Sequence, residues 1–172
     1  MKILDLGCGK KKYPGAIGID RSPESDADII HDLNHLPYPF RSNTFDLIIC
    51  DNVLEHLKEP LLVIEEIHRL LKPEGIVRII TPHFSSDDSF TDITHRHHFS
   101  FRSFNIFTND SSSFSFYTRA RFEMIKKRIM FGRLKRYVGI ESLANKLPQI
   151  YESHFVFIFQ AHSLFFEMKA VK

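Results

Sequence analysis

Three groups of residues have types and spacing that could do chemistry. Asp5-Leu6-Gly7-Cys8-Gly9 ends an apolar run, and its two glycines let the backbone approach a ligand with no Cβ in the way. Asp20 ends the next apolar run with a carboxylate able to accept hydrogen bonds from both hydroxyls of a ribose. Singly these read as a plain turn and a capping residue; at consecutive run ends they favour a nucleoside-containing ligand. The third group follows Thr81-Pro82: His83, Asp87, Asp88, His95, His97 and His98, so that four of the ten histidines fall close together. Imidazole titrates in the range useful to a general base, which makes His83, His95 and His97 the catalytic candidates. Two other readings stay open. His83, Asp87 or Asp88, and His95 or His97 could hold a metal, but His-x-His-His without a paired scaffold is weak evidence, and no metal ligands are assigned. Alternatively, the histidines tie down a loop that covers a crevice.

The elements that must position these groups follow from the hydrophobic pattern. Residues 1–6, 16–20, 27–31 and 45–51 are short, Ile-rich runs that suit strands buried on both faces of a parallel sheet. Between residues 59 and 72 the spacing changes: Leu61, Ile64, Ile67 and Leu71 recur at three and four, with Pro60 at the first turn, so an amphipathic helix is expected. Lys72-Pro73-Glu74-Gly75 ends it, and residues 75–81 form a fifth strand, giving a right-handed strand-helix-strand unit. Residues 121–131 and 163–171 read as the last strands, 138–159 as one or two helices broken near Pro148, and 109–113 as a loop. In an open parallel sheet, ligands bind beyond the carboxyl ends of the strands, where all three groups lie.

A dinucleotide site would need a third glycine where Lys12 stands and a helix opening at the turn, for which there is no room before Ala16. That counts against NAD and a nucleotide-dependent oxidoreductase. The residues instead resemble the class I S-adenosylmethionine-dependent methyltransferases. The likeness runs through ILDLGCG (3–9), GID (18–20), HDLNHLPYPFRSNTFDLIICDNVLEHL (31–57) and LLKPEGIVRIITP (70–82), about the first half of the chain. It is nearest a compact subgroup in which a short Pro-Gly loop, here Tyr13-Pro14-Gly15, leads straight to the second strand.

The resemblance implies S-adenosyl-L-methionine as cofactor. It sets Asp5, Gly7 and Gly9 at its methionine part and Asp20 at its ribose. Asp32 and Leu33 fall at the adenine, and Asp51 and Asn52 near the methionine or sulfonium. It also implies an α/β, Rossmann-like, doubly wound, mostly parallel sheet of about seven strands with an antiparallel C-terminal strand. Here some helices are missing on one face, because the first two connections are too short for them. The expected cover for that face is the Phe-rich stretch 138–159 or a second subunit forming a homodimer. The subgroup's link to sugar metabolism and the histidine cluster favour a small-molecule or glycan-type hydroxyl as methyl acceptor. A non-catalytic nucleoside-binding protein of the same fold is the alternative.

With 172 residues, a single domain is expected, 1–82 holding the cofactor and 83–172 supplying the substrate-facing loop and a C-terminal cover. Hydrophobic residues at 43% and charged residues at 26% exclude a disordered or coiled-coil class. A net charge of +2 makes nucleic acid an unexpected partner, and the basic run from Lys126 to Arg136 reads as a solvated, edge-guarding face. No run is long enough to span a membrane and no signal pattern precedes the first strand, so a cytoplasmic protein is expected. Cys8 and Cys50 sit in or beside apolar runs and read as reduced, inert thiols.

Overall fold

In the computed structural model, which describes residues 1–108, 115–132 and 139–172, the apolar runs become seven strands of one sheet. They are β1 (Ile3–Leu6), β2 (Ile17–Asp20), β3 (Ile29–Ile30), β4 (Phe45–Asp51), β5 (Leu71–Pro82), β6 (Arg121–Met130) and β7 (Ser163–Val171). The order across the sheet is β3-β2-β1-β4-β5-β7-β6. Pairing is parallel from β3 to β5, and β7 runs antiparallel to both β5 and β6. The sequence reversal beside β1 opens a crevice at the carboxyl ends of β1 and β4.

Helix α1 (Pro60–Leu70) starts with proline at its first turn and lays Val63, Ile64, Ile67 and Leu70 on the sheet. It stops earlier than its periodicity suggests, because Leu71 already pairs with Phe45 in β4. Residues 72–75 then bulge out, Glu74 taking φ 64°, before Ile76 rejoins the ladder opposite Leu47. The main core lies on this face. Leu4, Ile48, Val77, Ile79 and Phe166 point into it, and Phe101, Phe104 and Phe107 from the long connection after β5 complete it.

The opposite face has no helical layer among the described residues. Ile3, Ala16 and Leu47 form a small separate cluster there, flanked by half-buried Ile49 and Ile76. The expectation that 138–159 would lie over it is corrected. Helix α2 (Ile140–Lys146) packs on β6 instead, and Ala144, Tyr151 and Val156 join the main core. Expecting an apolar face overlooked the charges alternating along β5 to β7. Arg78 and Glu167 pair at 2.6 Å, and Lys169 lies 2.9 Å from Glu74 and 2.7 Å from Glu123, so this side of the antiparallel strands meets water.

β6 is an edge strand, as the basic run suggested. Arg128 pairs with Glu141 at 2.6 Å, and the Asn145 side chain accepts from the Ile129 amide (2.8 Å) and donates to its carbonyl (2.7 Å). A side chain thus fills the hydrogen-bonding positions a further strand would use. The expected loop at 109–113 and the end of the basic run, Arg133 to Arg136, lie outside the described residues.

Candidate active site

The first turn is held by carboxylates. Asp5 is buried, and its Oδ2 accepts from the Tyr13 amide at 2.7 Å; burial raises its pKa against that hydrogen bond. Asp20 Oδ2 accepts from the Gly9 amide at 3.0 Å, and its Oδ1 from the Ser22 amide at 2.8 Å. Gly7 has φ 65°, and a Cβ there would lie 2.5 Å from Val53 Cγ2, so both conformation and space require glycine. Lys12 turns away to Asp28 at 2.9 Å, and Lys10 is exposed. No helix begins at the turn, so there is no helix N-terminus for a pyrophosphate.

A cavity of about 190 Å³ lies beside this turn, lined among others by Gly7, Asp20, Asp32, Leu33 and Asn52. Those five residues, expected at the cofactor, come together here. Asp32 is held below the usual carboxylate range, chiefly by the Asn34 amide. Of the other three expected, Asp5 and Gly9 shape the turn, and Asp51 lines a second cavity of about 720 Å³. Asn52 and His56 line both. Asn52 adopts φ 52°, a left-handed conformation that asparagine tolerates better than most residues, and its amide donates to the Ile80 carbonyl at 2.9 Å.

The larger cavity also meets Glu55, Asp88, Asp92, His95 and His162. The loop carrying His95 is latched to the turn Leu54–His56: the Arg96 and His97 amides donate to the Glu55 carbonyl at 2.7 and 3.2 Å. The His56 Nδ1 and the Thr94 hydroxyl are 2.8 Å apart. The His95 ring stands edge-on to His56 at 4.5 Å, and its Nδ1 donates to the Ser89 carbonyl at 3.2 Å. A carbonyl only accepts, so the neutral ring carries its proton on Nδ1 and leaves Nε2 basic.

His83 is placed differently. It is fully buried, its Nδ1 accepts from the Ser85 amide at 3.1 Å, and its Nε2 therefore donates to Glu152 at 3.2 Å. His97 Nε2 faces the Lys58 carbonyl at 3.3 Å and does not line the larger cavity. Of the three candidate bases, the structure brings only His95 into it. It likewise does not gather His83 with Asp88 and His95.

Sequence reasoning missed Glu55. It is 1% exposed, its Oε2 accepts from the Thr81 hydroxyl at 3.1 Å, and its Oε1 has no hydrogen-bond partner. Burial pushes its carboxyl above the ordinary range, against the pull of Thr81 and His95. Burial and the neighbouring His95 lower the His56 pKa. Glu55, His56 and His95 each offer a ligand atom within 4.8 Å of the others, a donor set that a divalent cation or a shared proton would suit. An acid beside a histidine was visible in the sequence; its burial was not. Cys8 and Cys50 are buried and free, and burial pushes the Cys8 thiol up to about 11 and Cys50 up as well, as expected of inert thiols.

Comparison with known proteins bears on the class of domain and on the fold. Residues 4–79 match a family model described as a methyltransferase domain, which bears out the resemblance over that segment. The chain is 38% identical over 91 residues to an uncharacterized protein of Methanocaldococcus jannaschii, covering 45% of this chain and 39% of that protein. It is 30% identical over 105 residues to the ubiquinone biosynthesis O-methyltransferase of Haemophilus ducreyi, covering 46% of this chain and 44% of that enzyme. The chain therefore spans less than half the length of these relatives. Among solved structures, a SAM-dependent methyltransferase from Archaeoglobus fulgidus superposes over 98% of this chain and 85% of its own, with a TM-score of 0.65 at 15% identity. The fold is the Rossmann-like fold of those methyltransferases, with its mostly parallel sheet and single antiparallel strand.

Proposed function

We propose that this chain is an S-adenosylmethionine-dependent methyltransferase acting on a hydroxyl of a small molecule or glycan. The observation that carries the reading is the pair of cavities meeting at Asn52 and His56, one lined by the glycine turn and Asp20, the other by His95. The residues fit the cofactor. Asp20 has lone pairs left for the ribose beyond those given to two amides, Leu33 offers an apolar wall, and nothing in the turn is arranged for phosphate. When bound, S-adenosylmethionine would supply a methyl carbon activated by its sulfonium, open to in-line attack by the acceptor oxygen as the carbon–sulfur bond breaks and S-adenosylhomocysteine leaves.

The protein's part is alignment, exclusion of water and management of one proton. Asn52 and His56 form the partition at which the two reactants meet. The loop latched to the Glu55 carbonyl closes one side of the larger cavity and fixes the His95 ring. His95 Nε2 takes the hydroxyl proton as the new carbon–oxygen bond forms, and Nδ1 stays bonded to the Ser89 carbonyl throughout. Alignment itself supplies much of the acceleration for such a displacement.

The test is turnover of methyl-labelled cofactor against a panel of phenols, catechols and sugars, with the wild type and His95→Gln. Loss of about 10²–10⁴-fold in kcat at unchanged S-adenosylhomocysteine affinity is expected for a lost base. Wild-type turnover in the variant would remove His95 from the mechanism. Tight cofactor binding with no acceptor consumed would favour the non-catalytic alternative.

A further inference from the structure

Glu55, His56 and His95 all line the larger cavity, and each keeps one atom free to bind there. Glu55 is buried, its Oε2 is taken by the Thr81 hydroxyl, and its Oε1 has no hydrogen-bond partner. The two histidines are oriented from behind. Asp92 accepts from the Thr94 hydroxyl at 2.7 Å and the Thr94 amide at 2.8 Å, which hold its carboxyl below the usual range. The Thr94 hydroxyl has given its proton to Asp92, so it can only accept from His56 Nδ1, 2.8 Å away. His56 therefore carries its proton on Nδ1, as His95 does toward the Ser89 carbonyl, and both rings keep a basic Nε2.

A ligating imidazole is held in this way, its other nitrogen donating to a carbonyl or, as here through Thr94, toward a carboxylate. The three residues each place a ligand atom within 4.8 Å of the others. One shared proton can bridge two of the free atoms; a cation can take all three. Asp51, Glu55, Asp88 and Asp92 line the cavity and no lysine or arginine does, so no side-chain ammonium or guanidinium competes for the place.

We propose that Glu55, His56 and His95 bind one divalent transition cation of the zinc class. Two imidazoles and a carboxylate suit such an ion, and three protein ligands leave a coordination position open, here onto the cavity. The backbone prepares the site: the Arg96 and His97 amides on the Glu55 carbonyl pin the loop bearing His95 to the turn bearing the other two ligands. Ion binding stands by itself, whereas its use rests on the methyl-transfer reading above. His95 Nε2 is the base in the metal-free chain and a ligand in the loaded one. The cation then binds the acceptor hydroxyl and lowers its pKa. The proton leaves to water as the oxygen attacks the methyl carbon and the carbon–sulfur bond breaks.

Isothermal titration of the tag-free, chelator-stripped full chain with zinc chloride tests it, with cobalt(II) as an optical probe. One zinc should bind per chain, and cobalt(II) should give a visible absorption band at the same stoichiometry. Glu55→Gln and His95→Gln should each weaken zinc binding by roughly tenfold or more, and Thr94→Val by about 10–100-fold through lost orientation of His56. His162→Gln, on the wall of the same cavity but outside the cluster, should bind as the wild type does. Circular dichroism and melting of the stripped variants show that each is folded. Absence of saturable zinc binding, or wild-type affinity in both Glu55→Gln and His95→Gln, would overturn the proposal. So would a loss confined to His162→Gln, which would put the ion on the His162–Asp88 pair. Titration of the same preparation with S-adenosylhomocysteine separates ion binding from methyl transfer. Zinc bound without the nucleoside keeps the ion site and removes its part in that reaction; the nucleoside bound without zinc does the reverse.

Discussion

Replacing Asp20 by alanine probes the cofactor side of the site at one atom group. In the folded chain its carboxylate accepts from the Gly9 amide at 3.0 Å and the Ser22 amide at 2.8 Å, which uses about half of its lone-pair positions. The remainder are free for ribose hydroxyls. A hydrogen bond to a charged acceptor contributes about 1.5–3 kcal/mol, so one lost ribose contact weakens cofactor affinity by roughly 10–150-fold. The two amides stand near solvent and can recover water, so the stability loss sits at the low end, on the order of 1–2 kcal/mol. That lowers Tm by about 2–8 °C in a domain of this size. Isothermal titration with S-adenosylhomocysteine, beside a thermal melt, reads both. Asp20→Asn, which keeps one acceptor oxygen, should fall between. A variant that melts lower yet binds S-adenosylhomocysteine as tightly as the wild type would show that Asp20 only staples the turn, and would refute the ribose assignment.

Three further outcomes follow from the geometry. Gly7→Ala should cost about 1–3 kcal/mol in urea unfolding, and Val53→Ala in the same chain should return part of it, because the added methyl meets the Val53 side chain. Asn145→Ala should lose about 1–2 kcal/mol and raise aggregation on heating, since it uncovers the Ile129 amide and carbonyl at the sheet edge. Glu55, with a folded pKa above its usual 4.5, binds its proton more tightly folded than unfolded. Its share of stability is present below pH 4.5 and is lost as pH rises through the folded pKa. Melts across that window should therefore fall less steeply with pH in Glu55→Gln than in the wild type.

The cofactor half was legible because its signals are local. Ile-rich runs ending in Gly7, Asp20 and Asp51 name parallel strands and their carboxyl ends at once, and the three-four spacing of α1 needs no tertiary context. The histidine loop was legible only as a group. His83 and His95 look alike in sequence, and what separates them is Glu152, which comes from a distant segment to bury one of them. Glu55 was hidden for the same reason: Thr81 and the latched loop that enclose it arrive from elsewhere in the chain. The uncovered sheet face was misjudged although its clue was present. Arg78, Glu167 and Lys169 alternate with apolar residues, the pattern of strands with one wet side.

Titration of the purified chain with S-adenosylmethionine, S-adenosylhomocysteine and NADH shows whether the glycine turn and Asp20 hold a sulfur nucleoside. Saturable binding of the first two and none of the third is expected. Binding of NADH in preference, or failure of both sulfur nucleosides to bind the folded chain, would contradict it.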